Sequence, residues 1–207
     1  MSYTVYGIQK AHRSHTVASP SVAESVDVGR PNACNQCHLD RTLAWTARNL
    51  SEWYGIDSPV LTSEESTVAA GARWALRGDA GMRALMAWSM GWEAAREASG
   101  ATGDSDWMIP YLAEFLDDPY DSVRFIALLA LRKRAEFARF DYNFVGTAEE
   151  RRAAAQRARE RGIYTHGPSG ADGNGTAVLL DASGALEREA FASLLRERDN
   201  TPIVLHE

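Results

Sequence analysis

Trp107-Met108-Ile109-Pro110-Tyr111-Leu112-Ala113-Glu114-Phe115-Leu116, then Asp117-Asp118-Pro119-Tyr120, then Asp121-Ser122-Val123-Arg124-Phe125-Ile126-Ala127-Leu128-Leu129-Ala130-Leu131-Arg132 is the most regular stretch of the chain. The first ten residues read as a short amphipathic helix. The next four read as a tight turn. In the last twelve, Val123, Ile126, Ala127, Ala130 and Leu131 fall on one helical face. Two apolar faces joined by so short a turn close on each other. An aspartate of the turn can pair with Arg124 of the helix that follows it. A mainly α fold is expected.

Upstream, residues 62–98 read as a second hairpin. Ser63, with Glu64 and Glu65, opens its first helix, and Val68, Ala72, Ala75 and Leu76 form the apolar stripe. Gly78 stops that helix and Asp79 caps the next. The second helix carries Met82, Leu85, Met86, Trp88, Met90 and Trp92, a stripe more typical of a core than of a ligand set. Residues 99–106 read as a loop. A turn aspartate followed by Val-Arg is the pattern of a HEAT-type repeat, and 62–98 reads as an irregular earlier copy. Two repeats are too few for a free solenoid, so both ends need caps. The expected division is a segment 1–60, repeats 61–138 and a tail 139–207.

The N-terminal cap holds the chemistry. Cys34-Asn35-Gln36-Cys37-His38 reads Cys-x-x-Cys-His, the attachment signature of a c-type haem. Cys34 and Cys37 are expected to form thioethers with the two vinyl groups, and His38 to be the proximal iron ligand. These are the only two cysteines in the chain, so no disulfide framework is left. The other readings are half of a zinc site and a thioredoxin-like dithiol. A zinc site wants further ligands at short regular spacing, and His12, His15, His166 and His206 supply no such pair. A dithiol wants a preceding strand, whereas Asp27 to Ala33 reads as loop.

One helix is expected over 32–54. Asn32 is its N-cap, Leu39, Leu43, Ala47, Leu50 and Tyr54 are its buried face, and Gly55 is its stop. His38, Thr42 and Trp45 run along another stripe, so Trp45 either packs on the haem edge or belongs to the core. Ahead of the motif, Val5, Ile8 and His12 share a helical face, and 16–31 reads as an extended connection. His15 is the candidate distal iron ligand, and a second imidazole makes the iron six-coordinate.

In the tail, Phe140 to Gly146 is aromatic-rich and is expected to lie on the repeats. Thr147 and Glu150 form a capping box for a charged, Ala-rich helix to Glu160. Ala177 to Asp181 reads as a strand, Ala185 to Arg198 as a helix and Pro202 to His206 as a strand, a small βαβ unit. Gly170 to Gly175 lacks the Lys-Ser/Thr of a phosphate loop.

The chain has 207 residues, 45% hydrophobic, with six tryptophans and a formal net charge of −6. That charge argues against nucleic acid as a partner and suits a partner with a basic docking face. No apolar run approaches the length of a membrane span. Met1 to Gly7 shows no basic region followed by an apolar one. Covalent haem attachment is normally extracytoplasmic, so a periplasmic or other extracytoplasmic location is expected, with the export signal in a longer precursor or a larger protein.

The combination resembles the C-terminal region of large multihaem c-type cytochromes with HEAT-like repeats. Tyr3-Thr4-Val5-Tyr6-Gly7 with Arg13-Ser14-His15, Arg30 to His38 with Leu43-Ala44-Trp45-Thr46, Leu76 to Gly81, Leu116 to Tyr120 with Val123-Arg124, Phe140-Asp141-Tyr142 and Arg198 to Ile203 carry it. It spans nearly the whole chain, with one haem motif where the family has many. The resemblance implies a haem-binding helical segment on HEAT-like hairpins, one covalent haem c and His15 as distal ligand. It also implies electron transfer within a larger redox complex, with a redox protein or other haem subunits as partners. A reductase with an open distal site and a haemless interaction module are the competing expectations.

Overall fold

The computed structural model describes residues 3–7, 10–13, 19–101, 106–162, 175–180 and 186–201. Several of its helices begin where a side chain accepts from a backbone N–H that the helix leaves without a partner. Ser21, Asn32, Thr42, Thr62, Asp79 and Thr147 each accept a hydrogen bond from the backbone N–H three residues on. They open α1 (Val22–Val28), α2 (Ala33–Cys37), α3 (Leu43–Tyr54), α4 (Ser63–Thr67), α6 (Ala80–Met90) and α10 (Ala148–Arg161). Between and after these lie α5 (Ala70–Arg77), α7 (Glu93–Ala98), α8 (Ile109–Phe115), α9 (Asp121–Leu131) and α11 (Arg188–Arg196). The mainly α expectation holds. Among the described residues no helix is long and apolar enough to cross a membrane.

The N-terminal region departs from the expected helix. β1 (Tyr3–Gly7) and β2 (Lys10–Arg13) pair antiparallel, Tyr3 opposite Arg13 and Gly7 opposite Lys10, and β1 lies against α6. Tyr, Thr and Val at successive positions favour extended backbone. The stretch 16–31 is not simply an extended connection: Ser21 caps α1 within it, and Gly29 ends that helix with φ +66°. The expected single helix over 32–54 is two. The Thr42 hydroxyl accepts from the Trp45 N–H at 3.1 Å and starts α3 afresh.

The hairpin α8–α9 stands where its sequence put it. α9 packs along α6 so closely that a Cβ on Gly91 would meet the Ala130 Cβ at 2.9 Å. Trp107, Tyr111, Phe115, Leu85, Met86, Met90, Leu131 and Phe137 are buried in one core. Met86 and Met90 are thus core residues, and Met82 packs on the core from its edge.

The turn's ion pair differs from the expected one. The Arg124 guanidinium donates to the Asp118 and Pro119 carbonyls at 2.7 and 2.9 Å, not to the aspartate side chain. The Asp118 carboxylate instead receives Arg83 of α6 in a bidentate pair at 2.7 and 3.1 Å, both side chains fully buried. The remaining Arg83 nitrogen donates to the Gly78 and Asp199 carbonyls, each at 2.7 Å. Arg198 reaches Asp118 at 3.5 Å and Glu114 at 3.1 Å.

The tail lies down on the hairpin. α10 follows α8, burying Ala154, Ala155 and Ala158 and exposing most of its charges. The Tyr142 hydroxyl donates to the Leu116 carbonyl, and burial pushes its pKa up to about 12. The expected first strand of the βαβ unit is a 3-10 turn, Gly175–Val178, followed by an isolated bridge between Leu180 and Leu186. Its carbonyls are taken by helices: Ala177 accepts from the Ala69 N–H at 2.8 Å and Val178 from the Tyr111 hydroxyl at 2.7 Å. The expected last strand, 202–206, lies outside the described residues.

Arg83→Met strips a buried carboxylate of its partner and is expected to cost about 3–5 kcal/mol, read as a fall in the urea midpoint. Adding Asp118→Leu should return much of that loss. A single variant as stable as the parent would remove the pair from its structural role.

Candidate functional site

Cys34 and Cys37 lie three apart on α2, hence on one face. His38 is the helix C-cap, and its N–H donates to the Cys34 carbonyl at 2.9 Å. Cys34, Cys37 and His38 are each partly exposed, whereas Asn35 and Gln36 are only 0% and 3% exposed. The pentapeptide is divided: its two middle residues anchor it and the other three are presented.

The anchoring is polar. The Asn35 amide donates to the Arg41 carbonyl at 3.0 Å and to the His38 carbonyl at 3.4 Å. Its oxygen accepts from the Asn32 amide at 2.9 Å and the Thr46 hydroxyl at 2.7 Å. One buried amide thereby holds α2, the link 38–42 and α3 together. From the end of α7, the Ser99 hydroxyl donates to the Cys37 carbonyl at 2.8 Å and accepts from the Leu39 N–H at 2.9 Å. The Trp107 indole fixes Ser99 in turn through its carbonyl at 3.0 Å. α5 presses on the same link: a Cβ on Gly71 would lie 2.6 Å from the Leu39 carbonyl oxygen.

The structure brings Trp45 to His38, their rings 5.0 Å apart and tilted by 47°. The Arg41 guanidinium lies over the other part of this cluster, 5.7 Å from the Trp45 ring centre. Asp40 pairs with Arg41 at 3.1 Å. Burial pushes the Asp40 carboxyl up, and the Arg41 charge draws it back. Burial also pushes both cysteine thiols up, Cys37 adding to the effect on Cys34. The thiols are therefore protonated at neutral pH. Both are free. Two thiols on one helical face beside a partly exposed imidazole are a donor set that would suit attachment of a vinyl-bearing porphyrin. Among the described residues, no three His, Cys, Asp or Glu side chains converge as a metal-binding group.

His12 is exposed on β2, and His15, His166 and His206 lie outside the described residues. Asn35, Ser99 and Gly71 were not singled out in the sequence. The two Asn at a three-residue spacing, Asn32 and Asn35, are a local signal for a capped and cross-braced turn. Nothing near the motif points to Ser99 or Gly71. Compared with known proteins, the chain matches no family model, no curated protein sequence and no solved structure.

Ser99→Ala leaves a buried carbonyl and a buried N–H without their partner, an expected loss of about 1–3 kcal/mol in a thermal or chemical melt. Alkylation of the unmodified chain by iodoacetamide should be slow at neutral pH. It should accelerate only above the ordinary thiol range, because a raised pKa delays the thiolate to higher pH. Fast reaction at neutral pH would contradict the upward shift of both thiols.

Proposed function

We propose that the chain is a c-type cytochrome segment that carries one covalent haem on Cys34 and Cys37, with His38 as proximal iron ligand, and that it works in electron transfer. The division of the pentapeptide carries this reading. Asn35 and Gln36 are sunk into the protein, while both thiols and the imidazole are presented together at the surface. The Cys34 and Cys37 thiols would hold the haem by adding S–H across its two vinyl double bonds, a C–S bond forming at one vinyl carbon and the hydrogen passing to the other. No net electron is exchanged. When bound, the haem supplies an iron that takes up and returns a single electron.

The residues around it hold and shield. His38 is kept at the end of α2 by its N–H bond to Cys34 and by the Asn35 amide on its carbonyl. Trp45 lies against the imidazole and covers one side of it. His15 is the proposed distal ligand, and with His38 it would give the iron two imidazole ligands and no position for substrate. Electron transfer then takes precedence over catalysis at the metal. The chain is read as a subunit, or the C-terminal part, of a larger extracytoplasmic redox complex, its partner another haem-bearing or redox protein.

Exported expression with a haem-attachment system should give one haem c per chain by pyridine haemochrome and intact mass, with low-spin spectra. The double variant Cys34→Ser, Cys37→Ser should lose the covalent haem. His15→Ala should move the spectrum toward high spin. A folded, colourless parent chain under these conditions would reject the reading.

A further inference from the structure

A cleft of about 470 Å³ opens beside the haem motif, lined among others by Asp40, Arg41, Trp45, Arg48, Ser66 and Ala177. Trp45 and Arg48 lie three apart on α3, hence on one face, and Arg41 stands just ahead of the Thr42 N-cap, so all three border the cleft at the start of that helix. Trp45 is the floor: its ring stands 5.0 Å from His38 and 5.7 Å from the Arg41 guanidinium. The opposite wall, Ser66 and Ala177, brings no charge. Two guanidiniums face one carboxylate, and Asp40 is already paired with Arg41 at 3.1 Å. Arg48 is exposed and has no ion-pair or hydrogen-bond partner among the described residues. Among the described residues, Arg48 thus adds to the cleft a positive charge beyond the Asp40–Arg41 pair.

Resting on the haem reading above, we propose that this cleft takes a carboxylate of the haem, with Arg48 as its main cation and Arg41, stacked on Trp45, as the second. A haem fixed through Cys34, Cys37 and His38 carries two propionates. A carboxylate held against protein needs a cation or donors to offset lost hydration. Guanidinium is the side chain best shaped for that task, since its planar fork matches two carboxylate oxygens. Stacking on Trp45 keeps Arg41 from swinging away. Arg41 and Arg48 are positioning residues here: they hold the edge of the group and, by neutralising its carboxylate, raise the midpoint potential of the iron.

The test is the optical midpoint potential of the exported, haem-loaded chain and of Arg48→Gln, Arg48→Lys and, as a remote control, Arg152→Gln on α10. Arg48→Gln should lower the potential, because removing a positive charge near the carboxylate favours the ferric state. Arg48→Lys should stay near the parent, and Arg152→Gln should match it. Haem content by pyridine haemochrome should be equal in all four. If Arg48→Gln keeps both the haem and the parent potential, the cleft proposal is overturned while the haem reading stands. If the parent itself carries no haem, both fall together.

Discussion

A carboxylate with no access to water must be met on every side, and Asp118 is met from three parts of the chain. Arg83 comes from the helix of the preceding hairpin, Arg198 from the end of α11, and the Tyr120 N–H from the turn itself at 2.9 Å. Burying such a charge is tolerable only with that degree of compensation. The consequence is geometric. Arg83 also takes the Gly78 and Asp199 carbonyls, so α5, α6, the α8–α9 turn and the C-terminal tail share one cation. A second buried pair, Arg134 with Asp106 at 2.7 Å, does the same for the far end, its guanidinium also donating to the Ala130 and Met90 carbonyls. Two points of polar closure therefore fix how the hairpins stack, and the apolar core fills what they enclose.

The haem-motif segment depends on this stacking rather than on its own length. α2 has five residues, too few to stand alone. It is braced by Asn35 from within and by Ser99 from outside. Neither brace uses the side chain of Cys34, Cys37 or His38, so these are left out of the bracing hydrogen bonds. That separation suits residues reserved for chemistry. It also accounts for the presence of an asparagine at a position that the attachment signature leaves open.

What could be read from residues alone followed the range of the interactions. The α8–α9 hairpin, the Thr147–Glu150 capping box and the Asn32 cap are local, and each stood where residue spacing placed it. The Cys34-to-His38 pattern was equally plain, although its presentation at the surface was not. The failures were long-range or competitive. Arg83 and Asp118 are 35 residues apart, and no periodicity links them. The break after His38 arose because Thr42 and Asn35 offered better local bonds than a continued helix. Ala177 to Leu180 looked like a strand because it is wholly apolar, but burial alone does not distinguish a strand from a turn whose carbonyls are spoken for by helices.

The hydroxyl of Ser99 lies 62 residues downstream of the carbonyl it binds at Cys37. During synthesis the pentapeptide therefore appears long before its outer brace does. For that interval the segment has its local Asn35 brace but not the outer one from Ser99. Once residues 99–107 arrive and the Trp107 indole locks Ser99, the backbone behind the motif is closed. The fold sets a clock: chemistry that needs a pliable motif belongs to the nascent chain, and chemistry that needs a rigid one belongs to the finished protein.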